Sequence, residues 1–347
     1  MLLYQFKNGD ELHRRDRALI AVFSAPRDVL STSPINGGYR SSLKYVFNHN
    51  CKEAGYKHTP LKAPTYAEHM KLVAAELGLE AHHACGLSTA ADMDNVSIRE
   101  ETFEDLTVTA IVTGGIDENG GRAGDPAAWH ESDGGSIPVT GTINIMLFID
   151  AKLPEGTLTR ALVTCTEAKT AALQELLAPS LYSSGLATGS GTDGTVIVSN
   201  PQSPVYLTYA GKHSKLGELI GRTVMKAVKE ALYLQTGLNA AQQFNIFSRI
   251  GRYGVTRQSV LDMLPHIESA KLDALSAQSD LVVMTSLYVH LLDQFSWGMI
   301  SPEDARKAAG KFLSDFGIDI DLLGCPENAS PMDRLLISYK LGLMRLL

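Results

Sequence analysis

The sequence lacks the features that mark several large classes of protein. It has no block of lysines and arginines and its formal net charge is −7, so nucleic-acid binding is not expected. The N-terminus carries charges early and has no apolar run of signal-peptide length. The most apolar stretch, residues 281–292, is closed by Asp280 and Asp293 well short of a membrane span, which predicts a buried helix. These absences predict a globular cytoplasmic protein with no membrane partner.

Cysteine is also scarce. The four cysteines, Cys51, Cys85, Cys165 and Cys325, are widely spaced and form no C-x-x-C pair, which favours reduced thiols. Only "AHHAC", residues 81–85, brings two histidines and a cysteine together as a hint of metal binding. Neighbouring side chains diverge, which counts against one shared ion there.

What the sequence does have, from residue 19 to about residue 205, is an alternation of β-rich runs with loops rich in small polar residues. The strand candidates are "ALIAVFS", "LTVTAIVTGG", "TGTINIMLFID", "TRALVTC", "GTVIVSN" and "PVYLTY". The short "PEG" between two of them predicts a strand-to-strand connection, and hence a partly antiparallel sheet.

Helical patterns occur between the predicted strands and then continue alone toward the end of the sequence. "TYAEHMKLVAAELGL" and "TEAKTAALQELLAP" have helical composition, and the longest pattern runs from Ser214 to a C-terminal cap at Gly237. Beyond residue 239 only amphipathic helical patterns remain, such as the one that Ser301 caps. The prediction is therefore a mixed α/β domain over residues 1–238 and an all-helical region over 239–347. We expect the helical region to act as a dimerisation or capping module, which makes a homo-oligomer a candidate state.

The loop "GLATGSGTDG", residues 185–194, is open enough for the backbone to approach another group closely. It contains no lysine after its last glycine and it precedes a strand, so it does not match a phosphate-binding loop. It places Thr192 and Asp193 directly before a predicted buried strand. A tight turn capped by an aspartate is the plain alternative.

Polar residues in other segments have both structural and functional interpretations. Asn144 lies in an apolar strand, where a buried amide needs hydrogen-bond partners. Those partners are either backbone groups of the protein or the carbonyl group of a ligand. Glu167 and Lys169 follow a predicted strand, so Thr166 is expected to cap a helix there and the helix dipole to favour Glu167. His213 is expected just before the long helix rather than on its apolar face.

Six segments, taken in order, resemble the adenosylcobinamide amidohydrolase (CbiZ) family over about residues 19–238. They are "VLSTSPINGG" (29–38), "LSTAADMDN" (87–95), "GTINI" (141–145), "TEAKTAAL" (166–173), "TGSGTDG" (188–194) and "AGKHSKLGELIG" (210–221). The sequence departs from the family pattern at Ser190, where threonine is usual, and at Ser88, where "STA" replaces "TTA". A long segment over 112–127 puts any role of Asp125 in doubt.

The resemblance implies hydrolysis of the amide between the aminopropanol arm and the corrin ring of adenosylcobinamide, a salvage step in coenzyme B12 synthesis. It implies a corrinoid as the small-molecule substrate. The expected catalytic residues are Asn144, Glu167, Lys169, Thr192, Asp193 and His213. The expected substrate-binding residues are Asn36, Gly37, Gly38, Ser88, Thr89, Gly189, Gly191, Lys215 and Glu218.

Amide hydrolysis needs a base, oxyanion donors and a proton for the departing amine. Glu167 or Asp193 is the expected base, His213 the acid, and Lys169 or Lys215 the balancing charge, while Thr192 is the alternative nucleophile. Asn144 and the N–H groups of the glycine loop are the expected oxyanion donors.

Other routes and functions stay open. No cofactor is certain, but Glu167, Asp193 and His213 together suit a divalent metal such as Zn²⁺. A corrinoid carrier without turnover is one competing function, and a nucleotide-dependent transferase that uses the glycine loop is another.

Overall fold

The computed structural model describes residues 1–52, 60–127, 130, 141–315, 317 and 328–347. Cys325 lies outside these residues. The described chain divides into two compact units, Met1–Asn239 and Ala240–Leu347. Each has its own hydrophobic core.

The first unit is built on a curled mixed sheet of nine strands, with a separate two-stranded ribbon. The strands are β1 (Leu2–Gln5), β2 (Glu11–Arg15), β3 (Ala18–Ser31), β4 (Gly38–Asn50), β5 (Ala84–Thr89), β6 (Ser97–Phe103), β7 (Leu106–Gly115), β8 (Gly120–Gly121), β9 (Thr142–Ile149), β10 (Gly189–Ser190) and β11 (Gly194–Ser199). The main sheet has the order β1-β2-β3-β11-β9-β7-β6, with β4 between β3 and β5. Among the strands of the described residues, β9–β11 and β4–β5 pair in parallel and the other neighbours pair antiparallel. The predicted mixed, partly antiparallel α/β fold is confirmed.

Helices cover the outer faces of this sheet. They are α1 (Tyr66–Glu76), α2 (Glu155–Glu175) and α3 (Lys215–Thr236). Alternate residues of β9 face opposite sides, so Ile143 and Ile145 pack in the core with α2 and α3, while Met146 and Phe148 pack against β3, β4 and β5. Because β9 is buried on both faces, it reads as a continuous apolar run in the sequence. Helix α1 covers β3, β4 and β5 from outside.

Three of the predicted helices begin and end close to where the sequence places them. Thr65 caps α1 with a reciprocal capping box that includes Glu68. The side chain of Ser214 accepts the Gly217 N–H at the start of α3, and Gly237 ends that helix in the left-handed conformation. The apolar run over 281–292 lies inside a largely buried helix, as expected.

Two predicted strands are wrong. The run "TRALVTC" lies inside α2, and "PEG" is the start of that helix rather than a connection between strands. The hydroxyls of Thr159 and Thr166 donate back to the carbonyls of Glu155 and Leu162, so these β-branched residues are accommodated in the helix. Thr166 is therefore not a helix cap. The run "PVYLTY" contributes only an isolated bridge, between Tyr206 and Lys152.

The second unit is helical throughout its described residues. Its helices are α4 (Ile246–Ile250), α5 (Arg257–Leu261), α6 (Ser269–Ser276), α7 (Ser279–Ser296), α8 (Pro302–Ser314) and α9 (Pro331–Leu346). Ser301 caps α8 by accepting the Asp304 N–H, as predicted. None of the helices described in either unit has the length and apolar character needed to cross a membrane.

Candidate functional site

The glycine loop lies where β9 and β11 begin side by side. Gly194 pairs in register with Asn144, and the two residues at 189 and 190 form a short ribbon with Gly120 and Gly121. Asp193 is anchored across this junction, because its Oδ1 accepts the backbone N–H of Ile143 at 2.9 Å. The predicted turn is therefore fixed by two neighbouring strands.

An ion pair between Lys169 and Asp193 forms the centre of the site. Lys169 extends from the sheet-facing side of α2, and the two side chains are only 10% and 13% exposed. Ser190 donates its hydroxyl to Asp193 Oδ1 at 2.7 Å. A β-carbon on Gly189 would lie 2.6 Å from Lys169 Nζ and closer still to the Asp193 carboxylate, so only glycine fits there.

Thr192 lies on the exposed side of the same loop. Its hydroxyl donates to the Gly141 carbonyl at 2.8 Å and contacts the hydroxyl of Thr142. The amide nitrogen of Asn119 lies 3.4 Å from the Thr192 hydroxyl. The Asn119 amide also donates to the Gly141 carbonyl at 3.2 Å, so it fixes the loop, which places the exposed Thr192 next to the Lys169–Asp193 pair.

Asn144 is fully buried and hydrogen-bonded within the protein. Both N–H groups of its amide are used, one by Asn48 Oδ1 at 2.8 Å and one by the Ser88 carbonyl at 2.9 Å. Asn48 in turn donates to Thr113 Oγ1. Neither N–H group of Asn144 is left for an oxyanion, so the structure favours the interpretation that this amide fixes the strands behind the loop.

Glu167 does not join Asp193. Two residues along a helix are about 200° apart, so Glu167 points away from the side on which Lys169 meets Asp193. It is 44% exposed and pairs with Lys212 at 2.8 Å. The hydrogen bond from Lys212 lowers the pKa of Glu167 below its usual value.

His213, Lys215 and Glu218 lie at the start of α3. The 22 residues of α3 span about 33 Å, and it is the far end of the helix, at Gln235, that packs against Gly115 near the start of β9. Lys215 instead covers the ring of Phe103 and pairs with Glu218. These three predicted site residues are therefore separated from the Lys169–Asp193 pair.

The predicted loop residues before β4 have structural contacts. Asn36 adopts a positive φ and donates its amide to the carbonyls of Ala81 and Ala84. A β-carbon on Gly37 would overlap the Ser33 carbonyl, whereas Gly38 has a positive φ and open space around it. Gly191 is exposed beside Asn119 in the glycine loop.

The "STA" turn is likewise tied into the sheet. Ser88 accepts from Asn144 through its carbonyl, and the Thr89 hydroxyl accepts the Ala91 N–H at 3.0 Å. Ser88 therefore supports the network behind the glycine loop, and Thr89 fixes its own turn.

The residues proposed for metal binding do not converge. Glu167, Asp193 and His213, all within the described part of the chain, do not bring their ligand atoms within 4.8 Å of one another. In "AHHAC", the thiol of Cys85 is buried and contacts Ser31 Oγ at 3.1 Å, and burial raises its pKa. Cys85 is therefore turned away from the two histidines.

Sequence reasoning missed several members of the site. Ser190 was noted only as a departure from the family pattern, and Asn119, Thr142 and Asn48 were not singled out. Asp125 accepts from Ser180 at 2.6 Å and from the Arg122 N–H, so it fixes its own turn. The useful signal for Ser190 was its place three residues before Asp193, within reach of a side-chain hydrogen bond across the turn.

The family model for adenosylcobinamide amidohydrolase, CbiZ, matches residues 3–240. The chain belongs to this family. The match covers the whole sheet and the Lys169–Asp193 pair, whereas the helical second unit lies outside the family's bounds.

Named relatives extend the comparison. An uncharacterised protein of Methanocaldococcus jannaschii is 36% identical in an alignment of 238 residues that covers 65% of this chain and 89% of the relative. The adenosylcobinamide amidohydrolase of Methanosarcina mazei is 29% identical over 234 residues, which are 65% of this chain and 98% of the relative. A solved structure from Pyrococcus horikoshii OT3 aligns over 62% of this chain and 76% of its own, with 12% identity and a TM-score of 0.32.

Proposed function

We propose that this chain hydrolyses the amide joining the aminopropanol arm to the corrin ring of adenosylcobinamide, as a salvage step toward coenzyme B12. The products are adenosylcobyric acid and the amino alcohol. Family membership and the name of the Methanosarcina mazei relative support the substrate class. The observation that carries the proposal is the Lys169–Asp193 pair held behind an exposed, hydroxyl-bearing glycine loop.

Asp193 is the base in this proposal. Its carboxylate takes a proton from a water molecule, whose oxygen attacks the amide carbon. The Ser190 hydroxyl is bonded to the carboxylate, the Thr192 hydroxyl lies 3.5 Å from that of Ser190, and in this proposal both orient the water. Because Ile143 and Ser190 both donate to Oδ1, the carboxylate keeps one orientation during the attack.

Lys169 balances the charge that develops as the tetrahedral intermediate forms and provides a proton to the departing amine. The hydroxyl of water then remains on the acyl carbon as the carboxylic acid, and the proton from Lys169 ends on the amine nitrogen. The proton that Asp193 took from water passes to Lys169 within the ion pair, which restores both residues. With the amides of Asn144 and Asn119 both hydrogen-bonded within the protein, the backbone N–H groups of the exposed glycine loop are the donors for the oxyanion in this proposal.

Loss of either charged partner tests the assignment. Incubation with adenosylcobinamide, with and without a chelator, is followed by detection of aminopropanol and cobyric acid. We expect Asp193→Asn and Lys169→Met each to lower kcat by about 10²–10⁴-fold. The matched controls are Glu175→Gln and Lys229→Met, which break a more exposed ion pair between the same two classes of side chain. An Asp193→Asn protein that works at the wild-type rate would contradict the proposal.

The Ser190→Ala variant distinguishes attack by water from attack by a protein nucleophile. Water attack predicts that Ser190→Ala loses less than about tenfold in kcat, since the variant removes one orienting hydrogen bond. A loss as deep as that of Asp193→Asn would instead identify Ser190 as a nucleophile. Binding of the corrinoid by wild-type protein without any product would favour a carrier.

A further inference from the structure

Three side chains that could ligate a metal lie together at the turn before β5, outside the Lys169–Asp193 cluster. Residues Ala81–His83 form a single 3₁₀ turn that follows Glu80. His82 Nε2 lies 3.5 Å and His83 Nε2 3.8 Å from Glu80 Oε2. One ligand atom from each residue lies within 4.8 Å of the other two.

These distances are close to those of a metal site. Zn²⁺ binds histidine nitrogen and carboxylate oxygen at about 2.0–2.2 Å, which places neighbouring ligands of a tetrahedral ion about 3.4 Å apart. The two histidine–carboxylate distances exceed this separation by only a few tenths of an ångström. A small rotation of the side chains is enough to close them around an ion.

The backbone of this turn is held from outside by another loop. The Asn36 amide donates to the Ala81 carbonyl at 2.8 Å and to the Ala84 carbonyl at 2.7 Å, on either side of the two histidines. Asn36 itself adopts a positive φ, a conformation that costs free energy in a non-glycine residue and persists only where its surroundings hold it. The Ser33 hydroxyl fastens the same loop to β5 by donating to the Gly86 carbonyl at 2.7 Å.

The three side chains are also open to solvent. His82 is 73%, Glu80 51% and His83 32% exposed, so an ion can enter and retain at least one water ligand. Lys44 lies 3.6 Å from the other carboxylate oxygen, Oε1, which leaves Oε2 on the side of the histidines. Two imidazoles and one carboxylate suit a divalent transition metal better than Mg²⁺ or Ca²⁺, which prefer oxygen ligands alone.

We propose that Glu80, His82 and His83 form a binding site for a divalent transition metal ion, with Zn²⁺ as the representative ion. Asn36 acts as a positioning residue, because its hydrogen bonds hold the backbone of the turn in place before the ion binds. None of these four residues belongs to the proposed hydrolytic cluster. A failure of the metal-binding test therefore leaves the proposed hydrolysis unaffected, and the reverse also holds.

Calorimetric titration of the full chain tests the site. The protein carries no polyhistidine tag, is first treated with a chelator, and is titrated with ZnCl₂ alone. We expect one ion per chain, and we expect Glu80→Gln, His82→Ala and His83→Ala each to weaken binding at least about tenfold. His266→Ala, an exposed histidine of the helical unit, is the matched control and leaves Zn²⁺ affinity unchanged.

A second readout reports on geometry rather than affinity. Co²⁺ bound by these ligands is expected to give visible absorption bands that disappear in the His82→Ala/His83→Ala double variant, whose circular dichroism verifies that it is folded. Mg²⁺ is expected not to compete. Wild-type protein without stoichiometric Zn²⁺ binding, or a folded double variant with wild-type affinity, would overturn the proposal.

Discussion

At the scale of single residues, His49 shows how burial changes acid–base chemistry. It lies near the end of β4 and lines a cavity of about 180 Å³ with Arg17, Lys62 and His69. Burial, reinforced by the charges of Arg17, His69 and Lys62, lowers the pKa of His49 to about 4. The imidazole is therefore neutral in the folded protein at neutral pH.

This shift predicts how stability depends on pH. The pKa of an unfolded histidine is about 6.5, so between pH 6.5 and 4 the unfolded chain binds the proton more readily than the folded one. The contribution of His49 is thus complete above pH 6.5 and is lost as pH falls toward 4, with a slope of at most about 1.4 kcal/mol per pH unit. Urea unfolding at pH 7 and pH 4.5 should show a smaller difference for His49→Gln than for wild type. The exposed His213→Gln serves as the control, and equal pH dependence in wild type and His49→Gln would refute the assignment.

The sequence allowed candidate site residues to be chosen, but it did not indicate which residues would be their partners. Asp193 and Thr192 were chosen because they directly precede a buried strand, whereas Lys169 was chosen from a predicted helix start that lies instead in the interior of α2. The need of the buried Asn144 for partners was also apparent, but its partner Asn48 is 96 residues away in the chain. Which polar groups meet depends on how two strands align, and no local spacing encodes that.

At the scale of elements, α2 shows where local propensity misleads. The segment 157–166 of this helix contains four threonines, at 157, 159, 164 and 166, which resemble a strand in isolation. The buried positions Leu158, Ala161, Cys165 and Ala172 recur at helical spacing and pack against β9 and α3, and this packing decides the structure. The error also misplaced Glu167 at a helix start. By contrast, α1 and α3 carry their own caps and were predictable.

Two glycines in α3 give opposite predictions for the same substitution. A β-carbon on Gly217 would meet the backbone of Gly211 and lie 2.9 Å from Lys212 Cα, whereas one on Gly221 meets nothing within 4 Å. We therefore expect Gly221→Ala to raise the free energy of unfolding by about 0.5–1 kcal/mol, because alanine loses less backbone entropy on folding.

Gly217→Ala should instead lower the free energy of unfolding by about 1–3 kcal/mol, because α3 must move away from the preceding turn. Urea unfolding of the two variants beside wild type measures both effects. Equal effects of the two alanines would show that the contact with Gly211 does not constrain the helix.

At the scale of the whole molecule, the change in sequence pattern near residue 239 coincides with a change in the core. The clusters around the sheet contain residues no later than Leu238, and the helical cluster begins at Ile246. A sequence reveals this division because strand patterns stop and helical ones continue. It does not reveal the order of the strands, since β3 pairs with β11 across more than 160 residues of chain.

Separate cores predict separate unfolding. Leu147 is fully buried among β9, α2 and α3, and Leu292 is fully buried in the helical unit. Each leucine-to-alanine substitution costs about 2–5 kcal/mol in its own core. We expect calorimetry to resolve two transitions, with Leu147→Ala lowering the Tm of one and Leu292→Ala lowering the Tm of the other by at least about 5 °C. If both variants lowered the Tm of one shared transition, the two units would fold as a single cooperative body despite their separate cores.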